Sequence, residues 1–267
     1  MTEPQYRIEH DTMGEVKVPI DALWRAQTQR AVENFPISFR PLERTQIRAM
    51  GLLKAACAQV NKDLGLLDAE KAEAIIAAAT EIAAGLHDDQ FPIDVFQTGS
   101  GTSSNMNANE VIATIAKNNG VDVHPNDHVN RAQSSNDSFP TAMHIAAVQA
   151  VQHQLLPAIA ELSGALAEQA ARHMDLVKTG RTHLMDATPV TFGQELSAFV
   201  AQLDYAERAI RTSLPAVCEL AQGGTAVGTG LNAPRGFAEA MAAELAALAG
   251  LPFVSAPNKF AALAGQD

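Results

Sequence analysis

The sequence predicts an all-α protein, and three of its features support that fold class. Of the 267 residues, 49 are alanine, which has the highest helix propensity, whereas aromatic residues make up only 5%. Apolar residues recur at steps of three and four over long stretches, as they do along one face of a helix. No run of alternating β-branched residues is long enough to indicate a sheet. Long helices with such apolar stripes usually pack as bundles.

Three helices are predicted in the first half of the chain. Four prolines interrupt residues 1–41, so we expect irregular structure with short helices there. Thr45 is expected to cap a helix that ends near Gly65, and Asp68 a second helix that ends at Gly85. A third helix is predicted over residues 106–118, because Asn-Gly follows it.

Longer helices are predicted beyond residue 140. Apolar spacing from Ile145 to Leu166 predicts a helix of about 30 residues that bends at Pro157. Pro189 is expected in the first turn of the next helix, which keeps a near-heptad spacing to residue 217. A last helix is predicted over residues 234–248.

These patterns divide the chain into two predicted regions. Residues 1–138 would form an N-terminal helical domain that carries several polar loops, and residues 139–267 the first part of a central helical bundle domain. Apolar stripes as long as those of the second region often continue into neighbouring subunits, which favours an oligomer.

Charge and composition exclude several classes of function. The net charge is −11 and no basic face is visible in the sequence, so neither nucleic acid nor an anionic membrane surface is an expected partner. No window approaches 18 uninterrupted apolar residues and the N-terminus is polar. Cys57 and Cys218 lie in alanine-rich stretches and are expected to be reduced, buried thiols. We therefore expect a cytoplasmic protein.

The first of three polar loops covers residues 97–110 and reads QTGSGTSSNMNANE. Its hydroxyl and amide side chains, together with two glycines, precede a helix whose N-terminus carries partial positive charge. Such a loop suits an anion, particularly a carboxylate. It is not a phosphate-binding P-loop, because no lysine follows the second glycine. The alternative is an elaborate helix cap.

The second polar stretch runs from His124 to Thr141 and again places Asn and Ser side chains before a long helix. His124 and His128 have a spacing that could hold a metal in a helix, but Pro125 and Asn126 favour a turn. We therefore expect no metal site.

The third polar loop covers residues 180–189 and contains His183, which is flanked by Thr182 and followed by Asp186. A single histidine in a polar loop before a long helix is either structural or an acid–base group. The three loops together favour proton abstraction next to a carboxylate, because the dianionic intermediate needs many hydrogen-bond donors and no redox cofactor.

At these residues the sequence resembles the fumarase/aspartase superfamily, and within it the class II fumarases. The resemblance begins near residue 10 and continues to the end of the sequence. It is supported by LWRAQTQR at residues 23–30, GGTAVGTG at 223–230 and APNKF at 256–260. Aspartases typically differ at three positions, where this sequence has His124, Ser135 and His183. Argininosuccinate and adenylosuccinate lyases lack the long loop that begins at Thr98.

The resemblance implies reversible, stereospecific addition of water to fumarate, which gives (S)-malate in the tricarboxylic acid cycle, without a cofactor. His183 matches the catalytic histidine, which would handle the water or hydroxyl side of the reaction. The matching substrate-binding residues are Ser100, Gly101, Thr102, Ser134, Ser135, Asn136 and Thr182. A second dicarboxylate site is matched by His124, Pro125, Asn126 and Asp127. Family members are homotetramers whose active sites collect loops from three subunits.

One signature of the family is not found in the 267 residues. It is a Gly-Ser-Ser-x-Met-Pro-x-Lys-x-Asn-Pro loop, to which the resemblance assigns the serine that removes the C3 proton. We therefore expect the sequence to be a piece of a longer enzyme, and a chain of this length alone to hydrate fumarate poorly. Three alternatives stay open: an aspartate ammonia-lyase, a catalytically impaired dicarboxylate-binding fragment, and a helical scaffold without enzymatic activity.

Overall fold

A computed structural model describes residues 5–265 and is predominantly helical, which confirms the predicted fold class. Within these residues the α-helices are α1 (Ala26–Asn34), α2 (Arg44–Asp63), α3 (Ala69–Ala84), α4 (Thr102–Asn118), α5 (Ser135–Ala150), α6 (Leu156–Arg172), α7 (Phe192–Val217), α8 (Phe237–Ala249) and α9 (Lys259–Ala264). A 3-10 turn covers Asp88–Gln90, and π-helical turns cover Pro125–Val129 and Val151–Leu155.

Between residues 5 and 265, six short strands accompany the helices, although none was predicted. They are β1 (Tyr6–Asp11), β2 (Gly14–Pro19), β3 (Val177–Thr182), β4 (Met185–Thr191), β5 (Glu219–Leu220) and β6 (Val254–Ser255). β1 pairs with β2 and β3 with β4 in antiparallel hairpins, and β5 pairs with β6 in parallel.

The prediction of irregular structure with short helices over residues 1–41 is right for α1 and wrong for the N-terminal hairpin. Val16 and Val18 alternate with polar residues along β2, and they pack with Ala22 and Ala26 in a small apolar cluster. Gly14 opens β2 with a φ of 109°, a value that glycine adopts without strain. The alternation covers only six residues per strand, which is too short to stand out in a helical sequence.

The hairpin β3–β4 replaces the loop that was predicted before α7. Pro189 lies in β4, opposite Thr179, and not in the first turn of the helix. A two-stranded ribbon leaves one edge of each strand unpaired, so a residue without an N–H is compatible with it. No residue of either strand is fully buried, so the sequence carries no apolar alternation that would reveal them.

Most of the predicted helices are present with small shifts of their ends. Helix α3 begins after Asp68 and ends at Gly85, whose φ of 88° closes the helix in the left-handed conformation. Helix α2 begins after Glu43 rather than Thr45. Helix α4 begins four residues earlier than predicted, and α9 was not predicted at all.

The long helix predicted around Pro157 is present as one unbroken helical run, in which the backbone stays in the right-handed helical conformation at Ala150, Leu155 and Leu156. α5 and α6 are joined by the π-helical turn, and Pro157 lies in the first turn of α6. Proline has no N–H to donate to the preceding turn, so it is tolerated at that position.

The chain forms two compact units. The first contains the described residues up to Ala146 together with those from Cys218 onward, and the second is Ala147–Val217. In the second unit, α6 packs against α7. The domain boundary predicted between residues 138 and 139 stays a prediction.

The core of the first unit lies where α2 packs against α3 and α8. Leu53, Ile75, Ile82 and Met241 are buried there with exposures of 0%. Cys57 and Cys218 are both buried and form no disulfide, as the sequence predicts. Between residues 5 and 265, no helix is both long and apolar enough to cross a membrane.

Helices α2 and α3 approach closely at Gly51, which makes this residue a test of the packing. A Cβ added at Gly51 would lie 2.7 Å from the backbone oxygen of Ala79 and 2.7 Å from the backbone nitrogen of Ala83. We expect Gly51→Ala to lower the free energy of unfolding by about 1–3 kcal/mol, because the helices must separate. Chemical denaturation followed by circular dichroism measures the change.

Gly164→Ala is the matched control, because Gly164 also lies inside a helix but has no atom within 4 Å of the added Cβ. There the substitution should raise stability by about 0.5–1 kcal/mol. Equal effects of the two substitutions would contradict the close approach of α2 and α3.

Candidate active site

The first polar loop is anchored by the carboxylate of Asp94. Asp94 accepts hydrogen bonds from the backbone N–H groups of Ser38, Phe39 and Phe96 and from the Ser38 hydroxyl, at 2.5 to 2.8 Å. Burial opposes ionisation of this carboxyl, but the four donors outweigh it and lower its pKa to about 2. The chain that enters the loop is therefore held in place at any ordinary pH.

Some residues of the segment 97–104 cap helix α4, and others are exposed to solvent. Gln97 Oε1 accepts from the backbone N–H and the hydroxyl of Ser104, and Thr98 Oγ1 accepts from the N–H of Ser103. Ser100 is exposed, and its Oγ lies 2.8 Å from Thr102 Oγ1. The first residues of the loop therefore cap α4, and Ser100 and Thr102 form a hydroxyl pair at the helix start. Binding of an anion by this loop stays a prediction.

Gly101 is the N-cap of α4 and has a φ of 69°. The ring of Phe139, in the first turns of α5, lies against it, and a Cβ at Gly101 would be only 2.1 Å from Phe139 Cγ. Glycine is thus required both by the backbone conformation and by the ring. This contact brings the start of α4 against α5.

The second polar stretch forms the N-terminus of α5. Ser134 Oγ accepts from the backbone N–H of Asn136, and Asn136 Nδ2 donates to the backbone oxygen of Ala226 at 2.7 Å. Ser135 Oγ accepts from Asn105 Nδ2 at 2.9 Å. Outside this stretch, the partners of residues 134–136 therefore lie in two other segments of the first unit, at Asn105 on α4 and at Ala226.

Asp137 organises this region, although sequence reasoning gave it no role. It is fully buried and accepts from the backbone N–H groups of Ser134, Gly223 and Thr225 at 2.8 to 2.9 Å. Burial raises the pKa of its carboxyl, and the three N–H donors oppose that effect. The glycine-rich segment after residue 222 is thereby tied to the start of α5.

A cleft of about 560 Å³ lies where these segments meet. Ser100 and Asn136 supply polar groups, and Phe139, Met143 and Leu263 supply apolar ones. The complete lining is Gly99, Ser100, Asn136, Phe139, Pro140, Met143, Ala226, Leu263 and Ala264. Two of the predicted substrate-binding residues thus line one cleft, and Gly101, Thr102, Ser134 and Ser135 lie next to them in sequence.

Lys54, on α2, is a buried residue of this region that sequence reasoning missed. It has 0% exposure, and its Nζ donates to Asn105 Oδ1, Asn130 Oδ1 and Gln133 Oε1 at 2.7 to 3.1 Å. Desolvation lowers the pKa of its ammonium to about 8. A lysine in the apolar stretch of α2 was the available signal, since an unpaired ammonium is rarely buried.

The residues predicted for a second dicarboxylate site lie at a π-helical turn. His124 Nδ1 accepts from the N–H of Asp127 at 3.2 Å, and the N–H of His124 donates to His128 Nδ1. His124 lines a different cavity of about 530 Å³, together with His10, Arg30 and Thr98. The part of the chain that the structure describes contains no group of three or more His, Cys, Asp or Glu side chains arranged to hold a metal ion.

Thr182 and His183 lie in the second unit, at the tip of the hairpin β3–β4. His183 and Leu184 have φ values of 50° and 61° and form the two-residue turn between the strands. A left-handed conformation at two successive residues with side chains costs energy, and such residues are often found at functional sites. The imidazole of His183 is thus exposed, and the two-residue turn fixes the position of its backbone.

The sequence of this chain is similar to that of known lyases. Residues 14–267 match a family described as lyase. A class II fumarate hydratase of Pseudomonas aeruginosa is 67% identical over 268 residues, an alignment that covers 98% of this chain and 58% of that protein. A class II fumarate hydratase of Mycobacterium tuberculosis is 66% identical over 263 residues, and the alignment covers 56% of that protein.

Solved structures show the same likeness. A class II fumarase from Schistosoma mansoni superimposes with a TM-score of 0.94 at 39% identity, over 97% of this chain and 59% of that one. A fumarate lyase:delta crystallin from Brucella melitensis gives a TM-score of 0.93, also at 39% identity, and is covered to 59%. The chain thus spans somewhat less than three fifths of the length of these relatives.

Proposed function

This chain belongs to the lyase family, and from that membership we propose that the protein catalyses the reversible hydration of fumarate to (S)-malate. The relatives named above carry the name fumarate hydratase at 66–67% identity, which supports this proposal. The three residues that distinguish fumarases from aspartases, His124, Ser135 and His183, support it as well.

The observation that carries the proposal is the convergence of two donor-rich helix starts on one cleft. Ser100 precedes α4 and Asn136 lies in the first turn of α5, and both side chains line the cleft. The N-termini of helices carry partial positive charge and N–H groups that favour a carboxylate. In a protein with a net charge of −11, attraction of a dicarboxylate must come from such local donors.

The reaction that such a cleft suits is proton transfer next to a carboxylate. Dehydration of malate removes a proton from C3 and the hydroxyl from C2, and water and fumarate are the products. Loss of the proton first leaves an intermediate with three negative charges, two of which lie on the carboxylate bonded to C3, where Ser100, Thr102 and Asn136 would donate hydrogen bonds. We assign substrate binding to Ser100, Gly101, Thr102, Ser134, Ser135, Asn136 and Thr182.

His183 is the proposed group on the water side of the reaction. Its imidazole would protonate the departing hydroxyl of malate and, in the reverse direction, take a proton from the attacking water. The base that removes the C3 proton belongs, by the resemblance, to the signature loop that is not found in this sequence. The full-length protein is therefore the form in which hydration is expected.

We propose further that the protein acts as a homotetramer in the cytoplasm, in the tricarboxylic acid cycle. The exposed hairpin that bears Thr182 and His183 would join an active site built from several subunits, as the resemblance implies. His124, Pro125, Asn126 and Asp127 are proposed as a second dicarboxylate site at a separate cavity.

The test of the proposed function is fumarate consumption by the purified full-length protein in a buffer free of ammonia. We expect fumarate absorbance to fall and malate to accumulate, because water is the only co-reactant. Addition of ammonia should leave the rate unchanged. Consumption that requires ammonia and yields aspartate would instead show an ammonia-lyase, and no consumption in either buffer would contradict both activities.

A further inference from the structure

The ammonium of Lys54 lies at the start of a chain of hydrogen bonds that ends at Ser135. An ammonium can only donate, so the side-chain atom of Asn105 that faces it at 2.7 Å is the oxygen. The amide nitrogen of Asn105 then points the other way and donates to Ser135 Oγ at 2.9 Å and to Asn130 Oδ1 at 3.2 Å.

This arrangement determines what the Ser135 hydroxyl can do. Its oxygen already accepts a hydrogen bond from the amide of Asn105, so its own O–H remains a donor for another group. A positive charge at the other end of the amide polarises that hydrogen bond and strengthens the next one in the chain. The hydroxyl is therefore both oriented and made a better donor to an anion.

We propose that Lys54 is a positioning residue for the substrate, which acts through Asn105 to hold the Ser135 hydroxyl as a hydrogen-bond donor to a carboxylate. The proposal rests on the proposed function, because that function makes Ser135 a substrate-binding residue. Lys54 does not touch the substrate in this scheme. It supplies a buried positive charge to the chain of hydrogen bonds that ends at Ser135, in a protein whose net charge is negative.

Every group that faces the Lys54 ammonium bears on its protonation. Asn105 comes from α4, Asn130 and Gln133 from the loop before α5, Asp137 from α5 and Cys57 from α2. Desolvation lowers the pKa of Lys54 to about 8, and the negative charge of Asp137 opposes that shift. Burial raises the pKa of Cys57 to about 12, so Cys57 is an uncharged thiol in this pH range. As the pH rises through about 8, the ammonium loses its proton and the chain of hydrogen bonds loses its charge.

The effect of this titration on folding has the opposite sign. The pKa of Lys54 is about 8 in the folded protein, whereas a fully hydrated lysine in the unfolded chain has a pKa of 10.5. Between these values the unfolded chain binds the proton more tightly, so stability from this group rises with pH in that window. Weaker substrate binding in the same window would therefore not come from unfolding. Burial also lowers the pKa of Lys259 to about 8, so the Lys54→Met and Ser135→Ala variants are needed to assign the change to Lys54.

The experiment measures the dissociation constant of succinate by calorimetry from pH 6.5 to 9.5 on the full-length protein. Succinate is a four-carbon dicarboxylate that cannot be hydrated, so the result does not depend on turnover. In the wild type we expect binding to weaken about tenfold as Lys54 deprotonates. In Ser135→Ala, binding should be weaker at pH 7 and should no longer change between pH 7 and 9.

Two substitutions on α2 separate charge from packing. Lys54→Met should weaken succinate binding at least tenfold and remove the pH dependence, with kcat changed much less than KM. Asn61→Leu is the matched control, because Asn61 is buried on the same helix and donates to the backbone oxygen of Arg131 without contacting Asn105. It should keep the wild-type pH dependence.

The proposal is overturned if succinate binding by the wild type does not change across pH 8, or if Ser135→Ala retains the full change. Folded Lys54→Met with wild-type affinity would overturn it as well. If Lys54→Met does not fold, the wild type and Ser135→Ala still decide, since neither alters the buried lysine. A protein that binds succinate with the expected pH dependence but does not hydrate fumarate would contradict the proposed function alone.

Discussion

His183→Asn is expected to lower kcat for fumarate hydration by about 10²- to 10⁴-fold, the usual contribution of a general acid–base group. Asparagine keeps a hydrogen-bonding side chain at the hairpin tip and tolerates the φ of 50° found there, but it cannot exchange a proton with water near neutral pH. KM should change little, because the carboxylates of the substrate would be bound by other residues. Steady-state rates of the full-length protein in both directions measure the effect.

His153→Asn is the matched control for this experiment. His153 is exposed and belongs to the same compact unit, in the π-helical turn before α6. Its replacement should leave kcat within about twofold of the wild type, as surface changes usually do. If kcat of His183→Asn equals that of the wild type, as expected for the control, His183 has only a structural role.

Gly101→Ala is expected to have the largest effect on the first unit. The added Cβ would lie 2.1 Å from Phe139 Cγ, so the ring must move, and a residue with a side chain must adopt a φ of 69°. Together these changes should lower the free energy of unfolding by about 2–3 kcal/mol. Because Phe139 lines the cleft, dicarboxylate binding should also weaken at least tenfold. Thermal unfolding and succinate calorimetry measure the two effects.

The neighbouring glycine serves as the control for this substitution. Gly99 also lines the cleft, but an added Cβ meets nothing within 4 Å and its φ is not in the left-handed region. Gly99→Ala should therefore keep stability within about 0.5 kcal/mol of the wild type. If both variants lose stability equally, the contact between Gly101 and the Phe139 ring is not the cause.

The parts of the fold that could be predicted from the sequence depend on local signals. Helix α3 was predicted between Asp68 and Gly85 because a capping residue and a left-handed glycine are readable without any tertiary contact. Helix α7 was predicted up to Val217 from its apolar period. The hairpins were missed because their alternation is short in β1–β2 and absent in β3–β4, where Pro189 also indicated a helix start.

Some parts of the candidate site could likewise be predicted from the sequence, and others could not. Residues 97–110, 124–141 and 180–189 stood out in the sequence because donor-rich loops before helices are unusual, and the family resemblance supplied roles for their residues. Lys54 in the apolar stretch of α2 was a signal that a buried partner exists, but the sequence does not show which groups pair with Lys54 or with Asp137, because most of those partners are distant along the chain. Asp137 accepts from a backbone N–H 86 residues away, and Lys54 donates to a side chain 79 residues away.

By itself the sequence determined the helical class, the C-terminal ends of most predicted helices and the three polar loops, because helix propensity, capping and hydrophobic period act within a few residues. Only the tertiary structure decided that Ser100 and Asn136 line one cleft, that Phe139 packs on Gly101, and that a buried lysine lies behind Ser135. These arrangements depend on how α2, α4 and α5 pack together. Buried polar groups must find partners wherever that packing places them, and the partners are seldom neighbours in sequence.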